Sequence, residues 1–374
     1  MKKFTKILLI GCLLVTVSCN NWLDVEPKSQ VKDKDLFASE MGFKEALSGV
    51  YSLMTKEALY GKELTFGWLG VLGQEWTSVP YNYEDDQKYD FENAASEVRI
   101  DSVWTGLYNA IANANKLLKE LEGKENLFSG DNYFIIKGEV LALRAYLHFD
   151  LLRIFGASCT VGMERIAIPY VTEYAPTIFP QEKVGDFVGK VLNDLQDAAK
   201  CLENDPILTG RTVSEIDDNG YLMNRQVHLN YYAVKGLMAR VYLYKGDYAN
   251  AEVCAKEVIG SGCFEWVKQE NLTNESVADL TFSTEHLFAL NIVTLGNIVD
   301  KYLDGGNNSF ALEESRLSEY YGSSYDYRYL YLFKTGVGMS NTLRYLKKYD
   351  QLESVSWAQS YRNKLPLICL PEMY

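Results

Sequence analysis

The sequence is most informative at residues 138–156, which read GEVLALRAYLHFDLLRIFG. Apolar side chains recur there at every third or fourth position, as Val140, Leu143, Leu147, Leu151 and Ile154. This period is typical of an α-helix that packs one face against a core. Gly156 follows the last apolar position, where a glycine commonly ends a helix. We therefore predict a long helix over residues 134–155.

Other segments of the chain show the same helical period. Their apolar stripes predict helices over residues 43–54, 103–121, 184–202 and 231–244. Asp101 or Ser102 is the expected N-cap of the second of these helices. Strand-like runs are few and short, and the best of them are residues 166–168 and 288–293. The sequence thus predicts a mostly α fold.

Residues 230–261 carry a more specific pattern. Small residues at Ala239 and Ala251, with Gly246 and Asp247 between them, match the rhythm of a tetratricopeptide helix–turn–helix. A lone repeat cannot bury its own apolar face, so other helical pairs must stack on it, and residues 43–155 and 184–203 can supply them. We expect tetratricopeptide-like helical pairs in a right-handed superhelical scaffold with long aromatic-bearing loops.

The composition argues against several classes of function. The 374 residues contain 37 Lys and Arg against 50 Asp and Glu, which gives a formal net charge of −13. Such a chain is a poor partner for nucleic acid, whose phosphates are bound by Lys and Arg. The histidines are few and the cysteines lack C-x-x-C spacing, so we expect neither a metal site nor a cofactor. The signature motifs of nucleotide-binding, serine-hydrolase and zinc-protease sites are absent, and we predict no enzyme activity.

Residues 1–18 have the features of a secretory signal peptide. Lysines precede an apolar run over residues 7–17 that is too short to span a bilayer as a stable helix. Small residues and then Cys19 follow, and this arrangement resembles a bacterial lipobox, in which the cysteine is lipidated. Cys12 fits the usual lipobox letters better, but too little apolar sequence precedes it. We predict a lipoprotein signal at 1–18, a lipid on Cys19 and one helical-repeat domain over 19–374, with an ordinary cleaved signal as the alternative.

Four stretches, in order along nearly the whole chain, resemble the SusD/RagB family of surface glycan-binding lipoproteins. They are residues 23–27, the W-x-x-L-Y-x-x-I-x-x-A-N run at 104–115, residues 138–156, and residues 325–328 with 347–349. The resemblance implies a cell-surface lipoprotein of the outer membrane. It further implies that the protein captures an oligosaccharide and delivers it to a SusC-like TonB-dependent transporter.

Residues 365–374 resemble an element that opens a further helical pair in this family, with Cys369 in place of its customary arginine. We therefore expect that the chain lacks the family's C-terminal part. We also expect it to be less stable than a longer form, because the neighbouring helices would lose apolar cover.

The loop over residues 74–91 is the best candidate for the ligand site. It interleaves aromatic residues with polar ones, and sugars need both, because their C–H faces stack on aromatic rings while their hydroxyls need polar partners. The predicted ligand-binding residues are Trp76, Tyr81, Tyr83, Asp85 and Gln87 from this loop, with Trp266 and Tyr320 from the second long loop region. Some of these aromatic side chains could instead hold the loop on the helical core. The acidic run at 84–86 favours a neutral sugar over an acidic one.

Two other functions remain open. A helical-repeat scaffold at the outer membrane would bind protein partners and no small ligand, and a lipid-anchored glycosidase would cleave the glycan. Long aromatic loops favour glycan binding, because a scaffold needs only short turns between its helices. Within the helix at 134–155, we expect Glu139 and Arg144 to stabilise packing rather than to contact ligand.

Overall fold

Helices make up most of the secondary structure in the computed structural model, which describes residues 33–209, 220–306, 308–323, 325–336, 342–352, 356 and 362–374. The α-helices are α1 (Asp33–Leu36), α2 (Glu40–Met54), α3 (Trp68–Leu72), α4 (Glu84–Gln87), α5 (Ala94–Leu121), α6 (Asn132–Phe155), α7 (Val184–Cys201), α8 (Pro206–Thr209), α9 (Tyr231–Lys245), α10 (Tyr248–Gly260), α11 (Glu270–Thr273), α12 (Leu295–Tyr302), α13 (Glu314–Tyr321) and α14 (Tyr327–Tyr331). Short 3₁₀ helices lie at Tyr81–Tyr83, Glu125–Leu127, Arg225–Val227, Glu275–Val277, Ser283–Glu285 and Leu370–Met373. The predicted mostly α fold is confirmed.

The strands form three small antiparallel sheets on this helical framework. They are β1 (Ile166–Pro169), β2 (Gln181–Lys183), β3 (His286–Asn291), β4 (Leu312–Glu313), β5 (Phe333–Thr335), β6 (Leu343–Leu346) and β7 (Lys364–Cys369). β1 pairs with β2, β3 pairs with β7, and β6 lies between β4 and β5. The two strand-like runs noted in the sequence correspond to β1 and β3.

α6 is the central helix of the fold. It packs against both α5 and α7, and it also contacts α2, α9 and β1. Side chains are buried on all of its faces, as expected of a helix enclosed by other elements rather than one at the surface. The predicted helix at 134–155 is therefore confirmed, although burial extends well beyond the single apolar stripe.

The first residue of α5 differs from the prediction. The helix begins at Ala94, and the Asn93 side chain accepts hydrogen bonds from the backbone N–H groups of Ala95 and Ser96. Ser102 instead lies within the helix, where its hydroxyl donates to the carbonyl of Val98. The apolar stripe begins only at Val103, because the preceding turns bury polar residues such as Arg99. An apolar period therefore could not reveal this N-terminus.

α9 and α10 form the predicted tetratricopeptide-like pair. Gly246 ends α9 with a φ of 82°, a left-handed conformation that glycine adopts without steric cost. Asp247 then caps α10 by accepting a hydrogen bond from the backbone N–H of Asn250. α9 also contacts α7, β3 and β7, so the pair stacks on other elements as the repeat pattern predicted.

Polar residues of α6 connect it to its neighbours. Arg144 makes a bidentate ion pair with Asp194 of α7, with both N–O distances at 2.7 Å. His148 accepts a hydrogen bond at Nε2 from the backbone N–H of Val171, and its ring stacks on Tyr170. Burial lowers the pKa of His148 to about 3, so the ring is neutral in this position. These contacts attach residues 170–171 to the helical core.

A second buried cluster surrounds Glu139 of α6. Its carboxylate pairs with Arg225 at 2.7 Å and contacts His228 Nδ1 at 2.8 Å, and it accepts a hydrogen bond from the Tyr51 hydroxyl. Arg225 also pairs with the buried Asp205. The cluster joins α2, α6 and residues 205–228, and the expected packing roles of Glu139 and Arg144 are confirmed.

The last described residues add a strand that the sequence did not indicate. Lys364–Cys369 form β7, and the helical turn expected near the end of residues 365–374 is a short 3₁₀ helix at Leu370–Met373. β7 pairs with the buried strand β3, and Leu365 and Ile368 are buried there. Cys369 lies at the N-cap, where its backbone N–H donates to the Glu372 carboxylate.

The predicted signal peptide and the predicted lipidated Cys19 lie outside the described residues. Within the part of the chain that the structure describes, no helix is long and apolar enough to cross a membrane.

Candidate functional site

The described residues enclose a cleft of about 660 Å³ beside the N-terminal loop region. Its walls come from residues 60–76, from α6 and α9, from the β4–β6–β5 sheet with α13, and from residues 366–372. The aromatic residues that line it are Tyr60, Phe66, Trp76, Tyr146, Tyr320, Tyr321, Phe333 and Tyr349. The charged residues that line it are Glu75, Asp150, Arg153, Arg240 and Glu372. The volume is that of a ligand pocket, and the lining offers both ring faces and hydrogen-bonding groups.

The wall at residues 60–76 is held by the indole of Trp76. Its Nε1–H donates to the backbone carbonyl of Phe66 at 2.7 Å, and its ring packs against Phe310 at 5.6 Å between ring centroids. Gly70 permits this packing, because a Cβ at that position would lie 2.7 Å from Trp76 Nε1. Trp76 is therefore fixed from two sides.

The same wall is attached to a distant part of the chain. Ser78 and Ala311 form an antiparallel bridge, in which each backbone N–H donates to the carbonyl of the other residue. The hydroxyl of Tyr320 on α13 donates to the carbonyl of Gln74 at 3.3 Å, which places this ring at the mouth of the cleft. Sequence reasoning placed Trp76 and Tyr320 in separate loop regions, and the structure brings both to one cleft.

Buried charged side chains stabilise the loop over residues 74–91. Asp86 is buried, pairs with Arg99 of α5, and accepts a hydrogen bond from Trp68 Nε1. Glu63 accepts a hydrogen bond from the Tyr83 hydroxyl at 2.8 Å and pairs with Lys62 at 3.0 Å. Asp86 consequently does not contribute to an acidic surface, although it belongs to the acidic run at 84–86.

The opposite wall carries two arginine–carboxylate pairs. Arg153 pairs with Asp150 on α6, and Asp150 also accepts a hydrogen bond from the Tyr60 hydroxyl at 2.7 Å. Arg240 on α9 pairs with Glu372 at 2.5 Å and donates to the carbonyl of Leu367. These charges are compensated within the wall, which therefore carries no net charge from the two pairs.

The predicted loop residues divide into buried and exposed sets. Trp76 is 5% exposed and Tyr83 is fully buried, so Tyr83 has no ring face for a ligand. The Gln87 side chain donates to the carbonyl of Trp76 and supports the loop. Tyr81 is 77% exposed and Asp85 is exposed, and both lie outside the cleft lining.

The second predicted group also divides. Tyr320 is 49% exposed and lines the cleft, with the Arg316 guanidinium over its ring at 4.8 Å. Trp266 is exposed elsewhere and packs against Tyr374. Sequence reasoning missed three other cleft residues, Glu75, Arg240 and Tyr349. Glu75 directly precedes Trp76 and could have been chosen with it, whereas Arg240 lies in a repeat helix and gave no separate signal.

No group of three or more metal-ligating side chains occurs among the described residues. The cleft lining presents aromatic rings, carboxylates and guanidinium groups. These groups suit a ligand that carries both apolar faces and many hydroxyls.

Comparison with known proteins gives a consistent assignment. Residues 21–243 match the model of a SusD-like family described as starch-binding and associating with the outer membrane. A SusD-like protein of Formosa agariphila is 24% identical over 269 residues, which are 71% of this chain and 47% of that protein. A second SusD-like protein of that organism is 26% identical over 167 residues, 42% of this chain and 30% of that protein. The chain thus spans about half the length or less of these relatives.

Solved structures share the fold. A SusD superfamily protein from Bacteroides thetaiotaomicron has a TM-score of 0.68 at 20% identity, with 90% of this chain and 74% of that chain covered. A Bacteroides vulgatus protein whose structure is described as that of a putative sugar-binding protein has a TM-score of 0.67 at 23% identity. The match covers 90% of this chain and 72% of that chain. A laminarin-binding SusD-like protein has a TM-score of 0.64 at 18% identity, and the match covers 90% of this chain and 78% of that chain.

Proposed function

This chain belongs to the SusD-like family, and from that premise we propose that it binds an oligosaccharide in the cleft without cleaving it. One observation carries the proposal: the cleft combines aromatic side chains with arginine–carboxylate pairs in a volume suited to several sugar units. Sugar rings would stack on the aromatic wall, and their hydroxyls would bond to Arg240 and Glu372. Arginines hold the two paired carboxylates in place, so that the carboxylate oxygens have fixed positions.

Tyr320 is the residue of choice for testing this proposal. Its ring is half-exposed at the mouth of the cleft, so its removal costs little packing. We expect Tyr320→Ala to weaken binding about tenfold or more, because loss of a central aromatic contact commonly costs more than about 1 kcal/mol. Tyr320→Phe, which keeps the ring and loses the bond to Gln74, should retain most of the affinity.

The measurement is calorimetric titration with laminarin oligosaccharide, a neutral glucan suggested by the solved neighbour. The matched control is Tyr248→Ala, since Tyr248 is 71% exposed on α10 and lies outside the cleft. Binding that survives in Tyr320→Ala but is lost in Tyr81→Ala would place the site on the exposed loop surface instead. Release of shorter sugars during the titration would contradict binding without cleavage.

We further propose that the protein is a lipoprotein of the outer membrane and delivers its ligand to a SusC-like TonB-dependent transporter. The family description associates its members with the outer membrane. The lysine-rich start, the short apolar run and Cys19 support a lipid anchor. Several acyl chains on one cysteine would hold the protein firmly, since each buried CH₂ contributes about 0.8 kcal/mol.

The anchor is tested at Cys19. We expect Cys19→Ala to move the protein out of the membrane fraction and to abolish incorporation of labelled palmitate. Cys12→Ala is the matched control, and it should leave both readouts unchanged. Continued palmitate labelling of Cys19→Ala would show that the lipid is attached elsewhere. Delivery is tested by co-purification with a TonB-dependent transporter, whereas stable capture of other proteins alone would favour the scaffold interpretation.

A further inference from the structure

The Glu75 carboxylate differs from the other charged groups of the cleft. Arg153 compensates Asp150, and Arg240 compensates Glu372. Glu75, by contrast, makes a hydrogen bond to the described residues only through its backbone. Its N–H donates to the carbonyl of Gly70 at 2.9 Å. Its carboxylate is therefore the uncompensated charge of the described cleft lining.

The wall fixes the place of this carboxylate. Glu75 lies against α3, because a Cβ at Gly70 would be 3.1 Å from its Oε2 and a Cβ at Gly73 would be 3.5 Å from its Cγ. It directly follows Gln74, whose carbonyl accepts the hydrogen bond from the Tyr320 hydroxyl. The carboxylate and the Tyr320 ring thus belong to the same mouth of the cleft.

The surroundings of Glu75 are poor in compensating charge. Glu75 is exposed at the mouth of the cleft, but the walls remove part of the water around its carboxylate, and this partial desolvation raises its pKa. The Lys348 Nζ lies 5.9 Å from the centre of the Tyr349 ring, and Lys348 forms no ion pair with Glu75 among the described residues. A ligand in the cleft would therefore meet an ionised acceptor that is only partly hydrated.

We propose that Glu75 determines which class of glycan the cleft accepts, by bonding to sugar hydroxyls and repelling sugar carboxylates and sulfates. The inference rests on the proposed carbohydrate site. It moves the source of selectivity from the 84–86 run, where Asp86 is buried and paired, to the mouth of the cleft. A hydroxyl can donate to the carboxylate, whereas an anionic substituent in its place would bring two like charges together.

The test compares two forms of one ligand. The probes are laminarin oligosaccharide and the same oligosaccharide with its C6 hydroxymethyl groups oxidised to carboxylates. Wild-type protein should prefer the neutral form. In Glu75→Gln we expect this preference to shrink about tenfold, the effect of roughly 1.4 kcal/mol of lost repulsion. Glu84→Gln, which removes a charge of the same loop that lies outside the cleft lining, should leave the preference unchanged.

The outcomes separate this inference from the function on which it rests. If wild type and Glu75→Gln show the same ratio of affinities for the two probes, the cleft binds sugars and Glu75 does not select between them. An equal change in Glu84→Gln would assign the selectivity to the general charge of the protein and overturn the inference. A wild-type protein that binds neither probe would count against both.

A second readout needs no ligand. Glu75→Gln should raise the melting temperature, because it removes an unpaired and partly desolvated charge. A lower melting temperature would mean that the carboxylate has a stabilising partner, and it would overturn the inference independently of any glycan.

Discussion

Glu139→Ala should lower the free energy of unfolding by about 3–5 kcal/mol, the usual cost of removing one partner from a buried ion pair. The carboxylate is fully buried, and its loss would leave Arg225 with only Asp205 and would also leave the Tyr51 hydroxyl without its acceptor. Chemical denaturation of both proteins measures the difference. Glu252→Ala is the matched control, since Glu252 pairs with Lys256 on the exposed face of α10 and should cost less than about 1 kcal/mol.

The same cluster should limit stability in acid. Burial tends to raise the pKa of Glu139, but the positive charges of His228 and Arg225 outweigh it and hold that pKa at about 2. The carboxylate's contribution to stability is complete above its unfolded pKa of about 4.5 and is lost as the pH falls towards 2. Glu139→Gln should therefore lose less stability than wild type between pH 5 and pH 3. Parallel losses in the two proteins would assign acid unfolding to other groups.

Trp76→Ala is the second change with a large expected effect, a loss of about 3–5 kcal/mol of stability. The indole is buried, packs on Phe310 and donates a hydrogen bond to Phe66, so its removal opens a cavity and leaves that carbonyl without its donor. Trp266→Ala is the matched control, because that ring is 48% exposed and its loss should cost far less. Circular-dichroism melting of the two variants gives the comparison.

A titration with the same oligosaccharide separates packing from binding at Trp76. For Trp76→Ala below its melting temperature, we expect a smaller loss of affinity per folded molecule than for Tyr320→Ala. An unchanged melting temperature together with a loss of about thirtyfold in affinity would mean that the indole contacts the ligand directly, as the sequence first suggested.

Most of the long helices were predictable because their apolar period is set by packing against the core. α2, α6, α7 and the α9–α10 pair all lie where the stripes predicted, and Gly246 has the left-handed conformation that its position indicated. β7 was not predictable in this way. Its residues pair with β3, which lies more than 70 positions earlier in the chain, and a local pattern holds no information on such a partner.

The candidate site was predictable only in part. Aromatic composition identified the loop at 74–91, but it could not tell Tyr83, which bonds to Glu63 inside the protein, from Tyr81, which is exposed. Burial of Asp86 depends on Arg99 in the helix that follows, so its place in an acidic run was misleading. The cleft itself is formed by walls from distant segments, and no single stretch of sequence contains it.

The attachment of residues 74–78 to residue 311 has a consequence for how the protein folds. The Thr77 hydroxyl bonds to the carbonyl of Ala311 across 234 positions, and Lys62 bonds to Tyr302 across 240. Contacts of such high sequence separation form late and slow folding, because the chain entropy between them must be lost before they stabilise anything. A folding chain can pack α5, α6 and α7 on one another early, but the cleft has no complete wall until residues 312–372 have joined this helical core. The ligand site therefore forms after the helices that support it.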